Sequence, residues 1–263
     1  MAATAATLWT DAARERFETR GLVRFEAALP RRAAEAMADR LWADLERREG
    51  VRREDPATWT TERIFGFQAV QASGAFDGMA APAVRRLLDD LMGQGRWAEP
   101  AHWGQPITCF PTPGPWALPH RNWHLDGPGE PASRRAMVAR LFLILGPLAP
   151  QGGGTVVATG SHRIVEAIAD EAGETVRSGD MRQRLAARYP WIAELTSRSD
   201  REDRTQRFMD RETTVAGVAV QVEEMTGEPG DLYLMHPRAL HAGAPNATDQ
   251  PRLVLSQFVT PKG

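Results

Sequence analysis

Apolar residues recur three and four apart over roughly the first hundred positions and in short, punctuated runs after that. The change of period near Pro106 predicts helices followed by strands. Thr10 and Asp11 can cap a helix that stops before Gly21, and Pro30 opens a second whose stripe of Ala33, Ala34, Met37, Leu41 and Leu45 ends at Gly50. A third runs from Pro82 through Val84, Leu87, Leu88 and Leu91 to Gly93. Beyond Pro106, short apolar or alternating runs at 107–110, 137–145, 155–158, 215–222, 232–236 and 253–259 are separated by proline and glycine, the texture of antiparallel strands. The pattern predicts a mainly β protein with flanking helices, a barrel or sandwich with the helices over one face.

Residues 161–213 interrupt the strands. They are helical in character early, at Ile164, Val165, Ala167 and Ile168 and again at Met181, Leu185 and Ala186, and close in a charge run at 197–212. That composition fits a solvated insertion or a lid over a site. With no linker, repeat or low-complexity tract, 1–263 reads as one domain. Residues 1–105 form its largely helical part, 106–160 and 214–260 its β core, and 161–213 the insertion.

Composition narrows the partners. The chain carries 32 basic and 34 acidic side chains, a net charge of -2, and its arginines are interleaved with Asp and Glu. Nucleic acid and anionic membrane both need a basic excess or stripe, so neither is expected as a partner and a small-molecule substrate is. Cys109, the one cysteine, can close no disulfide within the chain, which fits a reducing, cytoplasmic setting. The small, polar start lacks a signal-peptide pattern, and the most apolar window, 136–150, is short and holds Arg140 and Pro147.

Among the 6 histidines, His120 and His124 have the spacing of a helical zinc protease, but Pro119 and Arg121 break that motif. His124 and Asp126 are two apart, which on a strand puts an imidazole and a carboxylate on one face. Far downstream lie Gly230-Asp231, His236, His241 and, after a turn-rich connection, Arg252. Two imidazoles and one carboxylate on one face of an ion leave its other face open, the arrangement of non-haem Fe(II) oxygenases. An arginine fork such as Arg252 suits the far carboxylate of a keto acid. His236 has the opposite parity to His241 and precedes Pro237, so it is expected off the ligand face. His102 and His162 read as structural, and the Gly152-Gly153-Gly154 run as a tight turn.

These stretches resemble the phytanoyl-CoA dioxygenase (PhyH-like) family of Fe(II)- and 2-oxoglutarate-dependent oxygenases. The resemblance rests on Trp123-His124-Leu125-Asp126-Gly127, on the segment from Gly152 to Gly160-Ser161-His162, and on Gly230-Asp231 through His241 to Arg252, eleven residues on. It implies a double-stranded β-helix, the jelly-roll or cupin-like core. It also implies Fe(II) held by His124, Asp126 and His241, 2-oxoglutarate and O2 as co-substrates, and Arg252 on the C5 carboxylate. Phe142 matches the family's aromatic beside the co-substrate, although Leu141, Leu143, Ile144 and Leu145 around it equally make it plain core. Thr155 and Ser256 carry hydroxyls that can touch the co-substrate or serve as ordinary strand residues. Thr159 replaces the proline common before Gly-Ser-His, and Arg134, Arg135 and Arg140, although near one another in sequence, fall only in part on one strand face, so a CoA thioester is not expected. Because related halogenases lack the carboxylate that Asp126 supplies, hydroxylation of a small organic molecule is expected, with Trp116, Leu118 and Trp123 near the pocket. A non-catalytic jelly-roll binder and a cupin-type isomerase are the alternatives; the isomerase would not need Arg252.

Overall fold

The computed structural model describes residues 7–198 and 203–262; the small polar start over 1–6 and the part of the charge run at 199–202 lie outside the described residues. The predicted helices form where their start and stop signals put them. In α1 (Asp11–Arg20) the Thr10 hydroxyl accepts from the Ala13 amide at 3.2 Å, and the helix ends at Gly21 with φ 70°. Glycine is required there, because a Cβ would sit 2.5 Å from His162 Nδ1. The helix α2 (Arg31–Glu49) follows Pro30 and ends at Gly50; after the short α3 (Gln68–Ala72), α4 (Pro82–Met92) ends at Gly93.

Nine strands appear among the described residues: β1 (Leu22–Phe25), β2 (Gln105–Cys109), β3 (Ala139–Ile144), β4 (Thr155–Thr159), β5 (Thr213–Val215), β6 (Val218–Glu224), β7 (Leu232–Met235), β8 (Leu240–Gly243) and β9 (Arg252–Val259). They make two antiparallel sheets, ordered β1-β7-β3-β9-β2 and β5-β6-β4-β8, a jelly roll with flanking helices. Two features differ from the sequence expectation. The run at 215–222 is a hairpin, because Ala216 (φ 51°) and Gly217 (φ 76°) form a tight turn inside it. And β1, four residues within the largely helical part, pairs with β7 at the edge of the larger sheet.

Side-chain alternation sorts the core into layers. Leu141, Leu143, Leu232, Leu234, Leu253 and Leu255 face outward from the larger sheet against α1, α2 and α4. Phe142, Ile144, Tyr233, Met235, Val254 and Val157 face inward between the sheets. Val156, Ala158, Val220, Val222, Leu240 and Ala242 face outward from the smaller sheet, where α5 (Ser161–Ala172), α6 (Ser178–Arg188) and α7 (Pro190–Thr196) bury Ile164, Val165, Ile168, Met181, Leu185, Trp191, Ile192 and Leu195 on them. Helices therefore cover both outer faces rather than one, and the helices of 161–198 put one face into the core instead of forming a solvated excursion. Among the described residues, no helix is long and apolar enough to cross a membrane.

Candidate metal centre

The turn through Asn122, whose φ is 61°, delivers His124 beside β8. His124 and His241 exchange both backbone hydrogen bonds, at 2.9 and 3.1 Å, and their ring centroids lie 4.2 Å apart. The expected strand reduces to this single bridge. Asp126 is carried to the same place by its amide, which donates to the Pro237 carbonyl at 3.1 Å. One ligand atom from each of His124, Asp126 and His241 lies within 4.8 Å of the others. His241 Nε2 is 3.5 Å from Asp126 Oδ2, and His124 Nε2 is 3.9 Å from Oδ1.

The donor chemistry fits a divalent ion. His124 Nδ1 lies 2.8 Å from the Asn122 carbonyl and His241 Nδ1 2.9 Å from that of Ala239, so each ring in its neutral form donates its proton there and turns the Nε2 lone pair toward Asp126. Burial holds His241 at a pKa of about 4, with Asp126 opposing the shift, so it is a neutral donor near pH 7.

Arg252 opens β9 on the inner face, the same face as Val254 and Ser256. It is 3% exposed; one Nη donates to the Gly153 carbonyl, while its Nε is buried without a partner among the described residues. Burial lowers its pKa to about 10, which leaves it a cation short of acceptors. Gly153 holds its place because a Cβ there would press on Asn246 and Cys109 at 3.0 Å. Ser256 pairs with Phe142 across β9 and β3 and donates to the Gln105 carbonyl at 3.4 Å. Thr155 pairs with Gly243, two residues along the His241 face.

The model of the family described as phytanoyl-CoA dioxygenase (PhyH) matches residues 17–254. The chain belongs to that family. No curated protein sequence matches it significantly. Among solved structures, EctD from S. alaskensis with 2-oxoglutarate and 5-hydroxyectoine is similar at TM-score 0.56 and 16% identity, over 98% of this chain and 78% of that one. HygX from Streptomyces hygroscopicus with nickel and 2-oxoglutarate bound is similar at 0.55 and 15%, over 97% and 88%. The epimerase SnoN in complex with Fe3+, alpha ketoglutarate and nogalamycin RO is similar at 0.51 and 14%, over 95% and 82%. At these identities the likeness is one of fold.

Within this PhyH-family fold, the expectation for Trp116 and Leu118 changes, while those for Trp123 and His236 stand. Leu118 and Trp116 pack with the helices outside the smaller sheet instead of lining a pocket, while Trp123, its indole donating to the Pro119 carbonyl at 2.8 Å, both packs there and walls a cavity. That cavity, of about 550 Å³, opens beside His124 between the 120–124 turn and the α6 and α7 residues Arg182 and Thr196. His236 lies off the triad, stacked on His162 with ring centroids 4.6 Å apart.

Sequence reasoning missed Arg140. Its Nε donates to Asp126 Oδ2 at 3.0 Å, and its guanidinium carbon lies 4.8 Å from the centre of the Phe142 ring and 4.0 Å from that of Phe258. The available signal was one charge inside an apolar strand, at the parity of Phe142.

Proposed function

We propose that this chain is an Fe(II)- and 2-oxoglutarate-dependent dioxygenase that hydroxylates a small organic molecule while 2-oxoglutarate is converted to succinate and carbon dioxide. The observation that carries the reading is the convergence of two Nε2 lone pairs and one carboxylate, each imidazole with its Nδ1 set on a carbonyl. His124, Asp126 and His241 would hold the iron, which with both co-substrates supplies the oxidant for a C–H bond.

The remaining work falls to the chain's own side chains. Arg252, buried and short of acceptors, would take the C5 carboxylate of 2-oxoglutarate. Phe142 and Ser256, paired on the inner face, would flank that co-substrate, and Thr155 would offer a hydroxyl near its path. The inner layer of Phe142, Val157, Met235 and Val254 keeps bulk water from the reacting groups. Helices α6 and α7 would cover the entrance, and the buried lone Cys109 suits a cytoplasmic enzyme.

Anaerobic addition of Fe(II) and 2-oxoglutarate tests this. A visible charge-transfer band is expected, absent in His124→Ala and Asp126→Ala, and needing far more 2-oxoglutarate in Arg252→Ala. No band in the intact protein overturns the reading. With a turned-over substrate, one oxygen atom from labelled dioxygen should appear in the product; an unlabelled isomer would replace hydroxylation with another outcome of the same site.

A further inference from the structure

The side chain of Arg140 is 11% exposed, yet it spends only Nε on the protein. No acceptor among the described residues takes a hydrogen bond from Nη1 or Nη2. Phe142 and Phe258 flank the guanidinium, Phe258 is 37% exposed at the rim, and Asp126 fixes its orientation. A largely buried guanidinium held by its Nε edge, with its Nη donors unspent beside a candidate metal centre, is built to meet an oxyanion.

A second observation points to the same charge. The cavity that opens beside His124 is lined by Arg121 and Arg182, and among the described residues neither has an acidic partner and none of the lining residues is a carboxylate. A cavity so lined, opening at His124 in the same cluster as Arg140's partner Asp126, concentrates anions and repels cations.

We propose that the primary substrate is a small organic oxyanion, a carboxylate in the first instance, anchored on the Nη edge of Arg140 and drawn in past Arg121 and Arg182. This deepens the oxygenase reading and rests on the same site. It adds that the substrate's charge, rather than its apolar bulk, is the feature the site selects. Phe142 and Phe258 would accept the carbon skeleton next to the anion. Arg252 would remain reserved for 2-oxoglutarate, because it lies six residues away from Phe258 on the same strand.

The test titrates hexanoate, benzoate and phenylacetate, each against its own carboxamide, into the full chain loaded with Ni(II) and 2-oxoglutarate and, in parallel, into metal-free protein, with binding followed calorimetrically. Each acid that binds should do so about tenfold or more tighter than its amide, and Arg140→Gln should erase most of that preference while 2-oxoglutarate affinity stays within about threefold. Arg121→Ala/Arg182→Ala changes only exposed positions. It should weaken acid binding about threefold at low salt and not at roughly 0.5 M, even if Arg140→Gln fails to fold.

If no acid outperforms its amide, or if Arg140→Gln costs 2-oxoglutarate affinity and leaves acid binding intact, the proposal is overturned. The two readings fail separately. Acid selection through Arg140 in a protein with no charge-transfer band keeps the anion site and removes the oxygenase. A band without acid selection does the reverse.

Discussion

A guanidinium taken out of water without its full set of acceptors costs the fold free energy, and Arg252 is in that position, 3% exposed with one Nη on the Gly153 carbonyl and a bare Nε. Folding alone would favour an apolar chain of similar length there. Arg252→Met should therefore leave the melting temperature of the ligand-free protein unchanged or raised, while removing the extra stabilisation that 2-oxoglutarate gives the metal-loaded wild type. Thermal melts with and without the keto acid read both effects. A variant that melts well below wild type without ligand would show that Arg252 is held for structure. Arg140 differs, since its Nε pairs with a carboxylate at 3.0 Å and aromatic rings flank it. Its role was hidden in the sequence because a lone charge in an apolar run looks like a break in a strand until the partner, fourteen residues upstream, is seen beside it.

At the scale of elements, α5 carries the protein's clearest acid sensitivity. His162, in its first turn, is 2% exposed; burial, with Arg163 adding and the Glu18 carbonyl opposing, brings its pKa to about 4. His236, stacked on it, is pushed well below the ordinary imidazole value by burial, then by His162, Arg238 and Arg135, and faces Glu166 at 3.5 Å. The unfolded chain binds these protons near pH 6.5, the folded chain near 4 for His162. The stabilising contribution is thus whole above about pH 6.5 and is lost as pH falls toward 4, roughly 3 kcal/mol for His162 alone. Melting temperature should drop over that window, and His162→Gln should flatten the drop; an equal drop in the variant would assign the sensitivity elsewhere. Elements with strong local signals were legible in the sequence, among them α1, α2 and α4 between cap or proline and glycine, and β3 and β9 as apolar runs. Elements whose existence depends on a partner were not. The four residues of β1 are a strand because β7 lies beside them, and 215–222 reads as one apolar run although two residues with positive φ fold it back. The apolar face of α5 to α7 was visible as helical spacing, but what it covers was not.

The whole molecule divides the site between its sheets. His241 comes from the smaller sheet and holds the His124 segment by backbone pairing, while Arg252, Ser256 and Phe142 come from the larger. A co-substrate chelated at the triad and gripped at Arg252 would tie the two sheets together, so its binding energy should depend on both ends. With Ni(II) as a redox-silent ion, each ligand at about a hundred times its Kd should add roughly 2.7 kcal/mol, about 5 °C or more in a chain of this size. The dependence has a direction. Ni(II) alone should stabilise, 2-oxoglutarate alone should do little, and together they should exceed the sum of the separate shifts. Asp126→Ala should lose both shifts, and Arg252→Ala only the keto acid's. A 2-oxoglutarate shift equal with and without metal would mean that the triad and Arg252 serve separate ligands, and the joining of the two sheets by a single co-substrate would have to be given up.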